Sequence, residues 1–277
     1  MKTSDAIKRG EHELPRREGI PDPRREAAWL LAAAWGVEEL TLRLHPEREV
    51  PADVECRYHE WLGRRAAGEP AHHLKGSCPF WGRNFEVSPA ALVPRPETEL
   101  VVETALELNL SNEARVLDIG TGSGCIALTL AAERPRWRVS AVDRSPAALA
   151  VARRNRERLG VGVSLFMGDL ASAVAPPWDL VVANLPYVPT AEIRRVPVEV
   201  RHDPQAALDG GEDGLDLVRR LLSDLPRILR ICGAAILEIG DGQAETVAAA
   251  AEQAALGVAR WVRDAGGVKR VIVLQPR

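Results

Sequence analysis

The chain has 277 residues, enough for one large or two modest domains at roughly 150 residues each, and for a core that needs no disulfide or metal staple. A hydrophobic fraction of 46%, a charged fraction of 27% and a net charge of −3 are ordinary for a soluble globular protein, without the basic excess of a dominant nucleic-acid surface. The cysteines, Cys56, Cys78, Cys125 and Cys232, form no CxxC pair, so zinc-ribbon and thioredoxin-type motifs are absent and reduced thiols are expected. The longest apolar run, Ala27 to Trp35, is nine residues, far short of the ~20 that cross a bilayer. The opening MKTSDAIKRGEHEL lacks the apolar centre of a signal peptide. The expectation is a cytoplasmic protein that binds no metal and no membrane; the pair His72-His73, without a nearby Cys or carboxylate pair, reads as a solvated linker.

Residues 1–75 read as a small helical domain. Ala27 to Trp35 is Ala-rich and is followed by Gly36, a helix stop. A second helix is expected from about Ala52 to Ala67, where Val54, Tyr58, Trp61 and Leu62 share one face. Acidic and basic residues are nearly balanced here, so this is no basic nucleic-acid arm. Its apolar face either packs on the chain itself or docks a partner. In residues 76–96, Phe80, Trp81, Phe85 and Val87 interleave with Gly82 and Asn84, which suggests a short hairpin linker. Leu92-Val93-Pro94-Arg95-Pro96-Glu97-Thr98-Glu99 then forces an extended entry and opens a helix with Leu100, Val101, Ala105 and Leu108 on its apolar face.

From Arg115 onward strand-like and helical runs alternate. The strands are Arg115–Ile119, Arg138–Val142, Val163–Met167, Asp179–Ala183, Ala234–Ile239 and Val271–Leu274, with another near Val258–Val262. Ser145-Pro146 starts one of the intervening helices as N-cap and first helical residue. The alternation predicts an α/β domain over residues 97–277, with a mainly parallel sheet and ligands bound beyond the carboxyl ends of its strands.

Three strand ends carry the chemistry. Gly120-Thr121-Gly122-Ser123-Gly124 follows an apolar strand and opens a helix. Glycines permit a tight turn and close approach to a ligand. The spacing is GxGxG and not the GxGxxG of nicotinamide enzymes, which points to the S-adenosylmethionine (SAM) variant of this turn. Asp143 ends the next strand, 23 residues after Gly120, where a carboxylate accepts both hydroxyls of a ribose. Asp169 ends the third, either facing the adenine amino group or serving as a turn residue. Asn184-Leu185-Pro186-Tyr187 follows the fourth and resembles the Asn-Pro-Pro-Tyr signature of enzymes that methylate planar amino groups. The nitrogen of such a group has its lone pair delocalised and is a poor nucleophile. A site must accept both of its N–H bonds to localise density on nitrogen. The Asn184 side-chain oxygen and the Leu185 carbonyl supply two acceptors, Pro186 restricts Leu185 to extended backbone, and Tyr187 offers an aromatic wall.

With these motifs in place, the chain resembles the HemK/PrmC-type protein-(glutamine-N5) methyltransferases, which act on peptide chain release factors. The resemblance covers almost the whole chain: LVPRPETE at Leu92–Glu99, VLDIGTGSG at Val116–Gly124, Ala141–Asp143, Asn184–Tyr187, Ala207–Gly211 with Gly214-Leu215-Asp216, and Leu237–Gly240 with Gln243. It implies a helical N-terminal domain, a hairpin linker and a Rossmann-like seven-strand SAM-dependent methyltransferase domain. It further implies N5-methylation of the Gly-Gly-Gln glutamine of class-I release factors, a step of translation termination, with no direct nucleic-acid contact. By matching positions, Gly120, Thr121, Gly122, Ser123, Gly124, Asp143, Asp169 and Leu170 bind SAM; Asn184, Leu185, Pro186 and Tyr187 hold the amide and are catalytic, with Asn184 also near the SAM methyl. Arg95 and Glu97 fall on the substrate side, and residues 1–75 dock the release factor.

The sequence departs from the family where Leu185 replaces a usual Pro, where Leu170 replaces a usual aromatic residue, and where His202-Asp203-Pro204 replaces a Glu-Pro pair. Asn-Leu-Pro-Tyr also occurs in adenine-N6 rRNA methyltransferases, so an adenine-N6 enzyme acting on rRNA or DNA is the first alternative. A catalytically decayed SAM-binding protein is the second.

Overall fold

The computed structural model describes residues 1–172 and 174–277, in two compact units: Met1–Ser77 with Arg195–His202, and Cys78–Arg194 with Asp203–Arg277.

The first unit contains helices α1 (Thr3–Glu13), α2 (Pro23–Trp35), α3 (Glu39–Leu44), α4 (Ala52–Ala66) and α5 (Ala71–Lys75). The Asp22 carboxylate accepts from the backbone N–H groups of Arg24 and Arg25, Pro23 takes the first helical position, and Gly36 closes α2 in the left-handed conformation. Ala6, Ile20, Leu30, Leu31, Tyr58 and Leu62 are fully buried in one core. Gly10 allows α1 to approach α4, because a Cβ there would stand 2.1 Å from the Tyr58 hydroxyl. That hydroxyl donates to the Ala6 carbonyl at 3.3 Å. Arg65 of α4 is buried as a charge, which is tolerable only with partners. Its guanidinium donates to Glu26 at 2.5 Å, to Glu199 at 2.6 Å and to the Gly19 and Glu69 carbonyls at 2.9 and 3.1 Å. Through Glu199 the segment Arg195–His202 is tied to this unit although it lies late in the chain. Gly68 gives room beside it, since a Cβ there would meet Val198 at 2.4 Å.

In the second unit, β1 (Ser77–Phe80) and β2 (Arg83–Glu86) form the expected hairpin. Trp81 and Gly82 both have positive φ, the backbone a two-residue hairpin turn demands. A 3₁₀ turn at Pro96–Thr98 leads into α6 (Glu99–Glu107). Then follow β3 (Arg115–Ile119), α7 (Cys125–Glu133), β4 (Arg138–Asp143), α8 (Pro146–Leu159), β5 (Val163–Met167), β6 (Trp178–Asn184), α9 (Asp216–Ile228), β7 (Leu229–Glu238), α10 (Ala244–Gln253), β8 (Leu256–Arg263) and β9 (Lys269–Pro276). The strand run seen near Val258–Val262 is β8. These strands form one seven-stranded sheet in the order β5-β4-β3-β6-β7-β9-β8, parallel except for β9.

Both sheet faces are covered, which is why the strands are apolar at successive positions. Leu117, Val181, Ala235 and Ile272 face α9 and α10, whereas Val116, Val182, Ile236 and Val271 join the cluster that holds residues of α6 and α7. The order reverses direction between β3 and β6, which are adjacent in the sheet, with Ile119 paired to Ala183. The loops leaving these two strands run to opposite sides and leave a crevice at their carboxyl ends. Among the described residues no helix is long and apolar enough to cross a membrane.

Candidate active site

The crevice is a cleft with about 1020 Å³ of non-atom space, open solvent included. Gly120, Thr121, Gly122, Ser123, Asp143, Asp169, Leu170, Asn184, Leu185, Pro186 and Arg95 all line it. Five separate stretches of sequence therefore converge on one cavity. Gly124, Glu97 and Tyr187 are placed differently: Gly124 caps α7, Glu97 is exposed on the 3₁₀ turn, and Tyr187 lies beyond Pro186.

The glycine-rich loop is held mainly by its neighbours. The N–H groups of Gly120 and Thr121 donate to the Val142 carbonyl at 2.9 and 3.1 Å, and Gly124 N–H donates to the Thr121 carbonyl at 2.8 Å. Gly120, Gly122 and Gly124 have φ of 76°, 56° and 85°, the left-handed region that side chains disfavour. A Cβ on Gly120 would stand 3.0 Å from the Leu185 side chain, whereas beside Gly122 there is open space. Fully buried Asn155 of α8 adds a remote tie: its amide donates to the carbonyls of Ser123 and Glu86 at 2.9 and 3.0 Å and accepts from Glu86 N–H at 2.6 Å.

Asp118 anchors the loop from below. One carboxylate oxygen accepts from the Thr121 hydroxyl at 2.6 Å and from Ala127 N–H at 3.2 Å; the other has no partner. Burial pushes this carboxyl up to about 7, against the opposing effect of both hydrogen bonds. Asp143 is arranged differently. Each oxygen accepts one backbone N–H at 2.8 Å, from Ser145 and from Gly122. A carboxylate has about four acceptor positions, so each oxygen keeps capacity for a further donor. That fits the two hydroxyls of a ribose, as the open side of Gly122 fits close approach of a ligand to backbone. The cleft residues therefore fit SAM.

The second loop is Asn184–Tyr187. Asn184 ends β6, and its amide nitrogen donates to the Thr98 hydroxyl at 3.1 Å. Leu185 is buried against Gly120. The Tyr187 carbonyl accepts from Gln243 Nε2 at 2.9 Å, while Gln243 Oε1 accepts from Gly240 N–H at 2.8 Å. Burial raises the Tyr187 phenol to about 12. A second strap follows the loop. Val188 N–H donates to the Leu208 carbonyl and Gly210 N–H to the Val188 carbonyl, both at 2.9 Å. Gly210 and Gly214 are required by this approach: a Cβ would stand 2.7 Å from the Pro186 carbonyl in one case and 2.2 Å from the Tyr187 carbonyl in the other. Beside Asn184 in the sheet lies Glu238 of β7, 3% exposed, with one oxygen unpartnered. Burial raises its carboxyl to about 7, while the neighbouring Thr98 and Asn184 favour the ionised form.

Arg95 lines the cleft but is paired with buried Asp203 at 2.5 Å, and Asp203 also accepts from Val93 N–H at 3.2 Å. This explains the aspartate at the departure noted for residues 202–204: it ties the Pro94 segment to the strap. Asp169 lines the cleft with an exposed carboxylate paired to Arg220. Leu170 is buried with φ of 49° and adds apolar lining. Sequence reasoning assigned no role to Thr98, Glu238, Gln243, Asn155 or Asp203. Asp118 and Glu238 did leave a signal, each being the lone acid in a largely apolar strand. Among the described residues no group of three or more His, Cys, Asp or Glu is arranged to hold a metal ion.

The mainly parallel seven-strand sheet, the glycine-rich loop after its first strand and the aspartate after its second, with spare acceptor capacity, define a SAM-dependent methyltransferase. The comparisons agree. A family described as "PrmC N-terminal domain" matches residues 5–76, and "Methyltransferase small domain" matches residues 96–211. The release factor glutamine methyltransferase of Geobacter sulfurreducens is 39% identical over 92% of this chain and 90% of its own length. That of Koribacter versatilis is 45% identical over 82% of each. The structure of a T. thermophilus 16S rRNA methyltransferase in complex with AdoMet and guanosine superposes with a TM-score of 0.53 at 19% identity, covering 73% of this chain and 50% of that one, which shows a shared fold. The chain belongs to the release factor glutamine methyltransferase family.

Proposed function

We propose that the chain transfers a methyl group from SAM to the side-chain amide nitrogen of the glutamine in the Gly-Gly-Gln tripeptide of class-I peptide chain release factors, acting in the cytoplasm. The observation that carries this reading is the commitment of the Asn184 amide nitrogen to Thr98. An amide that donates through its nitrogen on one side presents its oxygen on the other, as an acceptor for a substrate N–H.

Bound against Gly120–Gly124 and Asp143, SAM supplies a methyl group on a sulfonium. The Asn184 oxygen and the Leu185 carbonyl accept the two N–H bonds of the glutamine amide, so that its nitrogen lone pair is aimed at the methyl carbon. This is orientation together with preorganised acceptors, a combination in which a single misplaced hydrogen bond costs about 3–4 kcal/mol. The nitrogen becomes more acidic as it gains the methyl, and its proton passes to water, so the site needs no strong base. Pro186 keeps Leu185 extended, and Tyr187 gives the planar amide an aromatic wall. Arg95 and Glu97 are assigned to the substrate side and residues 1–75 to release-factor docking.

The test is incubation of the protein with SAM and unmethylated release factor, followed by fragmentation mass spectrometry of the Gly-Gly-Gln peptide. One added methyl on the glutamine is the expected result. No methyl there, but methyl on adenine of an rRNA substrate, would replace the reading with the adenine-N6 alternative.

A further inference from the structure

We propose that Thr98 and Glu238 form a positioning pair that fixes which way the Asn184 amide faces. The inference rests on the glutamine reading above and extends it to Thr98, which lines the cleft, and to Glu238, beside Asn184 in the sheet.

An asparagine amide is nearly symmetric in shape, so packing alone does not choose between its two orientations. Hydrogen-bond direction does. Thr98 has one hydroxyl proton and two acceptor lone pairs. It is 2% exposed, so water does not settle where that proton points. Asn184 stands 3.1 Å from the hydroxyl, and Glu238 is paired with Asn184 across β6 and β7. Thr98 and Asn184 are both hydrogen-bonding neighbours of the Glu238 carboxyl that favour its ionised form. An ionised carboxylate only accepts. It draws the Thr98 proton to itself, which leaves the Thr98 oxygen to accept, and Asn184 must then offer it N–H. The Asn184 oxygen is thereby turned toward the amide to be methylated. A protonated Glu238 can itself donate to Thr98. The threonine proton is then free to bond the Asn184 oxygen, which turns that oxygen away from the substrate.

The lock is therefore engaged only while Glu238 is ionised. Burial works against that state, as does Glu97 on the 3₁₀ turn; Thr98, Asn184 and Arg270 of β9 work for it. The Tyr187 phenol and the Cys125 thiol of α7 also face the group, and both are raised out of the neutral range by burial. The balance leaves the Glu238 carboxyl at about 7, so its occupancy changes across neutral pH.

The experiment is a pH profile of kcat for Gly-Gly-Gln methylation by the full chain, with SAM affinity measured beside it, for the wild type, Glu238→Gln, Thr98→Val and Thr98→Ser. The wild type is expected to lose turnover as pH falls through about 7. Glu238→Gln and Thr98→Val are expected to lower kcat by about ten- to a hundredfold, the worth of one misdirected hydrogen bond, with SAM affinity kept within about threefold. Glu238→Gln should also flatten the acidic limb. Thr98→Ser, which keeps the hydroxyl, should stay within about threefold of the wild type at every pH. Retained SAM binding shows that each variant is folded. If the wild type methylates the glutamine and both Glu238→Gln and Thr98→Val match its kcat and its pH limb, the positioning pair is wrong and the substrate reading stands. If the wild type transfers no methyl to the glutamine, the substrate reading fails and takes this proposal with it.

Discussion

The two loops that meet at the carboxyl edge of the sheet are built on opposite plans. The glycine-rich loop is tied mostly to what lies beside it: the Val142 carbonyl, the Asp143 carboxylate, and Asp118 from the strand that precedes it. The Asn184–Tyr187 loop is tied from afar, by Thr98, Gln243 and a glycine strap at Gly210 and Gly214. The difference matches the tasks proposed for them. A cofactor with a fixed shape needs a local cradle. A substrate amide needs acceptors aimed within a fraction of an ångström, and aim comes from rigid elements outside the loop.

This comparison can be broken by separating the two functions. The largest effect is expected for Asn184→Ala, which removes the acceptor proposed for the transition state: single-turnover transfer should fall by about 100- to 1000-fold. Asp143→Ala should weaken SAM by about ten- to a hundredfold in a calorimetric titration, the loss of one or two charge-assisted hydrogen bonds, and saturating SAM should restore most of the turnover. Gly214→Ala tests the strap. Its φ of 82° and the 2.2 Å approach to the Tyr187 carbonyl predict a shifted loop, with turnover down about tenfold, SAM affinity unchanged and stability lower by about 1–3 kcal/mol in urea.

Asp118 allows a pH test of the cradle. Its carboxyl is raised to about 7 in the fold from 3.8. Between those values the folded protein binds more protons than the unfolded chain, so stability falls as pH rises from about 4 to about 7 and is level above. Asp118→Asn should remove this group's share of that fall, roughly 1 kcal/mol per pH unit, when urea unfolding is compared across this range, while Glu238 keeps its own share. The smallest effect is expected for Leu185→Pro. It keeps the main-chain carbonyl and trims a buried side chain, so turnover should stay within about threefold. A folded but inactive Leu185→Pro protein would show that the loop depends on the leucine itself.

The same contrast explains what could be read from the amino acids. The cradle was legible because its parts are close together: glycines at 120, 122 and 124, and an aspartate at the next strand end. The alternating strands predicted the sheet for a similar reason, since each apolar run is itself a strand. The Asn184–Tyr187 loop was legible as a motif, yet its supports were not. Thr98 lies 86 positions from Asn184 and Gln243 lies 56 from Tyr187. Such pairings follow from the order of strands in the sheet, which hydrophobic patterning does not reveal. Arg195–His202 is the sharpest case. Nothing in its composition says that Glu199 answers the buried charge of Arg65, 134 positions away. Glu238 lies between these extremes. A lone acid in an apolar strand signals a buried charge, but the neighbour that gives it a purpose appears only in the register of β6 and β7.

The division between cradle and aim is tested most directly by titrating SAM calorimetrically into folded Asn184→Ala protein. A dissociation constant within about threefold of the wild type is expected, because the cofactor is assigned to the other loop. An affinity lowered in proportion to the lost turnover would contradict it, and would mean that the two loops act as a single binding device.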